Sequence, residues 1–173
     1  MKNVLMELDG LEFCITRPEY LDLISSIEKN NSNFVFVWPK ERHMEAITRM
    51  DELHISVVKA ESSELVGYII LGGIGGEDRS LEFRRMAIAD KGKGYGRISV
   101  RFIKKYCFEV LKYHRLWLDA YTDNERAIGL YASEGFVQEG ILRECKKHGE
   151  GYRSMVVMSM LESEYATEGE AGS

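Results

Sequence analysis

The sequence has no apolar run near the roughly 20 residues that a membrane span needs, and it carries only two prolines in 173 residues. Its first residues lack the basic, apolar, then small-residue order of a secretory leader, so a cytoplasmic location is expected. Three cysteines, Cys14, Cys107 and Cys145, are odd in number and form no C-x-x-C pair. They read as free thiols in a reducing compartment. The four histidines, His43, His54, His114 and His148, show no metal-ligand spacing, and no metal is expected. A net charge of −5 lacks the basic excess of a nucleic-acid binder. What remains is an ordinary globular composition, 45% hydrophobic and 29% charged, enough for one domain with a true core. That domain is expected over residues 1–162. Residues 163–173, mostly Glu, Gly, Ala and Ser, read as a disordered tail.

Along the chain the apolar period switches between two and 3.6 residues. Residues 11–16 alternate as a half-buried strand, which Arg17-Pro18 ends. Residues 20–27 recur at helical spacing and stop at a polar run, 29–33. The aromatic stretch 34–38 leads into a helix over 39–50, a segment that fits either a cleft cover or plain core. Residues 55–60 and 65–71 form a hairpin pattern, with a third strand over 80–88. A helix with a wide apolar face spans 98–113, and a short strand spans 116–121. Thr122 and Glu125 are spaced as a capping box for a helix that ends at Gly135. Strands over 136–143 and 152–161 follow. The expected fold class is α/β of the α+β kind: a mixed, largely antiparallel central sheet of about seven strands flanked by about four helices.

Between the third of these strands and the long helix lies Asp90-Lys91-Gly92-Lys93-Gly94-Tyr95-Gly96-Arg97. Alternate glycines let the backbone turn tightly and approach a ligand closely. A helix starting there presents free N–H groups and the positive end of its dipole, which suits a phosphate. Lys91, Lys93 and Arg97 add to the sign. The dinucleotide fingerprint G-x-G-x-x-G fails, because its last glycine would fall on Arg97 or Ser99. The phosphate loop of nucleotide hydrolases fails for want of Gly-Lys-Ser or Gly-Lys-Thr. Lys91-Gly92-Lys93-Gly94-Tyr95-Gly96 instead resembles the acetyl-CoA-binding motif of the GNAT N-acetyltransferase superfamily, Gln/Arg-x-x-Gly-x-Gly/Ala, with lysine at the first position. A second block, Asn124 through Tyr131 with Gly135-Phe136 and Glu139-Gly140, resembles the Asn-x-x-Ala-x-x-Leu-Tyr…Gly-Phe block of the same family. Leu142-Arg143, Gly151-Tyr152 and Met158 resemble the branch that includes ribosomal-protein N-terminal acetyltransferases, although Ser154 stands where that branch commonly has Asp. The likeness spans about residues 11–161.

The resemblance implies an N-acetyltransferase that passes an acetyl group from acetyl-CoA, its co-substrate, to a primary amine by direct attack. The acceptor would be a protein N-terminus or a small-molecule amine. Polyamine, amino acid and aminoglycoside are alternatives, as is a non-catalytic acyl-CoA-binding module. Homodimers are common in the family. The resemblance further implies that Lys91, Gly92, Lys93, Gly94, Tyr95, Gly96 and Arg97 hold the CoA pyrophosphate. Met86, Ala87 and Ile88 would bond the pantetheine amides and offer an oxyanion donor, and Asn124 would contact the same arm, while its residue type and place also read as a helix N-cap. Tyr131, two helical turns after Asn124, would be the general acid for the departing thiolate. An amine with a pKa near ~10 needs a base. Asp119, a carboxylate in an apolar strand, stands where the ribosomal branch has a glutamate and is preferred to Glu82 for that role. Glu82 lies four residues before Met86, and a strand period of two would put both on one face. Trp38 and Trp117 read as core, Arg84 and Arg85 as partners of nearby acids, and Cys107 as packing. The acceptor site is expected from residues 24–49, 72–79 and 145–152.

Overall fold

Eight strands form in the computed structural model, which describes residues 3–171 and the side chains of residues 3–167. They are β1 (Val4–Leu8), β2 (Leu11–Ile15), β3 (Glu52–Lys59), β4 (Leu65–Gly72), β5 (Ser80–Ile88), β6 (Arg115–Tyr121), β7 (Val137–His148) and β8 (Gly151–Leu161). All join one sheet in the order β1-β2-β3-β4-β5-β6-β8-β7. The described helices are α1 (Leu21–Asn30), α2 (Lys40–Thr48), α3 (Tyr95–Lys105), α4 (Glu125–Ser133) and α5 (Glu162–Ala171). The expected mixed, largely antiparallel sheet is present, with one strand and one helix more than expected. The extra strand is β1. Asp9 and Gly10 take positive φ, 47° and 79°, the twist of a type I′ hairpin turn, and fold β1 back onto β2.

Two cores cover the two faces of the sheet. One packs α3 and α4 against the sheet, with Phe13 stacked on Phe102 at 4.0 Å between ring centroids. Burying a side chain of that size contributes about 1.5–3 kcal/mol. The other packs α1 and α2 on the opposite face against Tyr68, Ile70 and Ala87. Leu21, Ile24, Ile27 and Glu28 recur at helical spacing on the buried face of α1, so the period that makes the stripe also carries a carboxylate into the core.

Three expectations are corrected here. Of the expected tail, residues 163–171 are helical and residues 172–173 lie outside the described residues: α5 runs through Ala171, its Tyr165 ring stacks on Phe108 at 5.0 Å, and its hydroxyl donates to Glu109 at 2.6 Å. One aromatic anchor and a Glu164 carboxylate accepting from the Leu161 N–H at 2.8 Å order a segment whose composition is poor in apolar residues. The helix after the glycine loop begins at Tyr95, three residues before the apolar period starts, because Gly94 in the left-handed region is its cap. Helix α4 is capped by Asn124, whose Oδ1 accepts from the Ala127 N–H at 3.3 Å, and not by Thr122.

Candidate active site

The only parallel pairing among the described strands is β5 with β6, and it is short. Ser80, Leu81 and Glu82 face Arg115, Leu116 and Trp117, after which the strands part. β5 meanwhile stays paired to β4 up to Ile88, but with a bulge: Ile70 faces Arg85 and Leu71 faces Phe83, which leaves Arg84 as the extra residue. The parted strands open a cavity of about 560 Å³. Its walls come from β5 (Glu82 to Met86), β6 (Asp119 to Tyr121), Asn124, Ala127 and Tyr131 of the α4 segment, and the aromatic stretch before α2.

The bulge corrects one sequence expectation. Leu81 and Phe83 face the α3 core, and past Arg84 that parity inverts, so Arg85 and Ala87 turn to the α1 face while Met86 packs toward α3. Glu82 and Met86 therefore lie on opposite faces, since one inserted residue flips every side chain after it. The Ala89 N–H bonds the Val66 carbonyl at 2.8 Å. Strand alternation then turns the N–H groups of Met86 and Ile88 away from β4 and toward the gap.

Asp119 lies on β6 between Leu118 and Ala120, which face the α3 core, so its own side chain points to the other face. Burial pushes its carboxyl above the usual range and the negative charge of Glu82 adds to that, while Lys146 opposes it. Glu82 is committed elsewhere: Arg84 Nε donates to its Oε2 at 2.9 Å, and Arg84 also pairs with Glu52 at 2.8 Å. Of the two candidate bases, Asp119 is the one without an ion-pair partner among the described residues.

Tyr131 is buried against Phe83 (5.6 Å) and Phe136 (6.0 Å) and reaches the cavity wall that it shares with Asn124. Its hydroxyl finds no hydrogen-bond partner among the described residues. Burial first, and the Asp119 charge second, hold its pKa above the ordinary phenol value. It is a proton-bearing phenol aimed at the gap. Cys107, by contrast, lies in the core, and burial raises its thiol to about 12, so it keeps its proton and is a poor nucleophile.

At the β5–α3 turn, Gly92 and Gly94 have φ of 85° and 80°, and a Cβ at either would meet nothing within 4 Å. The loop is an open cradle at the N-terminus of α3, where the N–H groups of Tyr95, Gly96 and Arg97 lie in the first turn, before the ladder begins with Ile98 N–H to Gly94 O at 3.1 Å. Those donors and the open space fit a pyrophosphate. Side chains contribute less than expected. Arg97 donates to Glu134 at 2.6 Å and to Ser133 at 3.0 Å, and Lys93 pairs with Asp90 at 3.1 Å. Lys91 has no ion-pair partner among the described residues.

Sequence reasoning missed a buried polar cluster behind the cavity. Glu28 takes hydrogen bonds from the Tyr68 hydroxyl and from the Trp38 N–H (2.9 Å), and sits 3.0 Å from Arg85 and 3.3 Å from His43. Burial alone would raise its pKa, but His43, Tyr68, Trp38 and Arg85 together outweigh that and hold it below the usual carboxylate range. His43 Nδ1 lies 3.0 Å from His54 Nε2, which burial and the neighbouring His43 keep neutral, with a pKa of about 3. Trp38 is not plain core: it lines the cavity, with the guanidinium groups of Arg42 and Arg85 each 4.4 Å from its ring. The legible signal was Glu28 falling on the apolar stripe of α1. Of the expected acceptor segments, the aromatic stretch and Lys146-Lys147 line the cavity and residues 72–79 do not. Ser154 ties the bulge of β7, its Oγ accepting from the Glu144 N–H at 2.9 Å.

A sheet parted beside a glycine cradle, with an unpaired carboxylate and a protonated phenol across the gap, defines an acyl-CoA-dependent acyltransferase. Residues 22–136 match the acetyltransferase (GNAT) family, and the chain belongs to it. It is 30% identical over 152 residues to the spermidine N(1)-acetyltransferase of Vibrio cholerae, covering 82% of this chain and 87% of that one. Among solved structures it is similar to spermidine N-acetyltransferase from Vibrio cholerae in complex with CoA and spermine, with a TM-score of 0.81 and 26% identity over 92% of this chain and 99% of that one. A dodecameric structure of the Vibrio cholerae enzyme gives a TM-score of 0.78 at 27% identity, over 93% and 99% of the two chains. The chain is an acetyl-CoA-dependent N-acetyltransferase. The narrower expectation of a ribosomal-protein branch is not what these relatives carry, since their names give a small polyamine. No helix among the described residues is long and apolar enough to cross a membrane.

Proposed function

We propose that this enzyme acetylates a small primary amine in the slot between β5 and β6, with Asp119 as base and Tyr131 as acid. The observation that carries the reading is that these two side chains meet at one gap, from opposite faces of the sheet, although twelve residues separate them. Acetyl-CoA supplies the acetyl thioester; the N–H groups at Gly94 to Arg97 would hold its pyrophosphate, and the gap-facing N–H groups of Met86 and Ile88 its pantetheine and the developing oxyanion. Asp119, directly or through a water, takes a proton from the ammonium as the amine nitrogen bonds to the acyl carbon. As the carbon–sulfur bond breaks, Tyr131 gives its proton to the thiolate and regains one from solvent or product. Asn124 caps α4 through its Oδ1 and lines the cavity, where its amide N–H₂ would meet the pantetheine arm.

The names of the relatives make spermidine the first acceptor to assay, and the dodecameric relative makes self-association part of the reading, checked by light scattering. Residues 1–162 are proposed as one catalytic domain. The test is release of CoA from acetyl-CoA by the purified chain across a panel of primary amines. Release with at least one amine, lost in both Asp119→Asn and Tyr131→Phe, is expected. A chain that binds acetyl-CoA and releases CoA with no amine would instead be a binding module.

A further inference from the structure

The charges that face the acceptor side of the cavity run against those of the chain. The protein has a net charge of −5, yet four of the six charged side chains lining the cavity are cationic: Arg84, Arg85, Lys146 and Lys147, against Glu82 and Asp119. The arginines are occupied, Arg84 by Glu82 and Glu52 and Arg85 by Glu28. The lysines are not. Lys146 and Lys147 form no ion pair among the described residues. They follow a bulge in β7 between Leu142 and Lys146, where Glu144 takes a φ of 50° and the strand returns to register at Lys146–Arg153. That irregularity places both on the cavity wall.

Pantetheine is neutral, so these charges are not needed for the cofactor arm that the slot would take. A polyamine needs carboxylates for the cationic nitrogens it does not present to the thioester. Here it would find Glu82 neutralised, one free carboxylate at Asp119, and Lys146 close enough to act on that same group. The rim above is apolar and aromatic, Phe34 and Phe36, with the Arg153 guanidinium 5.5 Å from the Phe34 ring centroid and donating to Asn33 O at 2.9 Å.

Resting on the reading of this slot as the acceptor site, we propose that the preferred acceptor carries an anionic group, carboxylate or phosphate, beside the amine that is acetylated. Lys146 and Lys147 hold the anion while Asp119 receives the amine. The pairing sets both the orientation of the acceptor and its class.

The test uses the full chain with saturating acetyl-CoA and follows CoA release. Glucosamine 6-phosphate is compared with glucosamine, β-alanine with β-alaninamide, and spermidine stands as the polycation. The anionic member of one pair is expected to exceed its neutral partner by about tenfold in kcat/KM, as two exposed ion pairs would give, and the pair that responds tells phosphate from carboxylate. In the double variant Lys146→Glu, Lys147→Glu, that preference should vanish and spermidine turnover should rise by about tenfold. The milder Lys146→Gln, Lys147→Gln should fall between, and acetyl-CoA binding measured alongside shows that both variants are folded. Spermidine preferred by wild type, or a charge reversal that leaves spermidine turnover unchanged, overturns the proposal while the acetyltransferase reading stands. No CoA release with any amine overturns that reading and the proposal with it.

Discussion

Replacing Tyr131 by Phe removes one oxygen and leaves the ring. The ring's contacts are with Phe83 and Phe136, both aromatic, and phenylalanine keeps them. The hydroxyl accepts and donates nothing within the described structure, so its loss leaves no buried group unpaired, the usual source of a large destabilisation. Stability should therefore hold within about 0.5 kcal/mol in a urea melt. Activity should not. A positioned general acid contributes about 10²–10⁴ in rate, or ~3–5 kcal/mol of barrier. That loss should fall on kcat, with acetyl-CoA affinity by calorimetry unchanged. The sign of the ionisation agrees: burial and the Asp119 charge raise the phenol's pKa, so Tyr131 is protonated at neutral pH and the falling basic limb of kcat lies above the range of an ordinary phenol. A Tyr131→Phe enzyme with wild-type kcat, or one that loses stability along with activity, would refute this reasoning and make the tyrosine a packing residue.

Asp119→Asn should remove the acidic limb of kcat/KM, which in wild type lies above the ordinary carboxylate range because burial raises that group. A carboxyl raised on folding favours the native state at low pH and loses that advantage as pH climbs through its folded value, so the Asn variant should melt no lower than wild type at pH 8. Glu28→Ala strands the Arg85 guanidinium and the Trp38 N–H in the core and should cost about 3–5 kcal/mol by urea denaturation. The same carboxylate is held below its usual range, so its contribution is present at neutral pH and fades as pH falls through its folded value; wild type should lose stability on acidification and the Ala variant less so. Gly94→Val meets no atom within 4 Å but forces a β-branched residue to φ 80°, at a cost of at least about 1–2 kcal/mol. It should weaken acetyl-CoA binding more than it lowers the melting point, and undiminished affinity in calorimetry would place the pyrophosphate elsewhere.

Local chemistry carried much of this protein. The period of two in residues 80–88, the glycine cradle at 92–96 and the helix from Asn124 to Tyr131 are each set by neighbours in sequence, because turn geometry and side-chain periodicity act over a few residues. Those segments led to the family, the cofactor and the phenol. Even the Asp9-Gly10 turn that adds β1 was written in the chain as a hairpin dipeptide. What the sequence could not decide were the relations between strands. A bulge at Arg84 depends on how β5 registers against β4, and it alone puts Glu82 and Met86 on opposite faces. Glu28, His43, Tyr68 and Arg85 are scattered along the chain and become one buried cluster only when α1 and α2 pack on the sheet. Asp119 is already the preferred base from its place in an apolar strand, but that Glu82 is paired with Arg84 while Asp119 has no ion-pair partner among the described residues is written in no spacing of the sequence. Charge pairing and strand register are long-range consequences of packing, and only the tertiary structure could assign them.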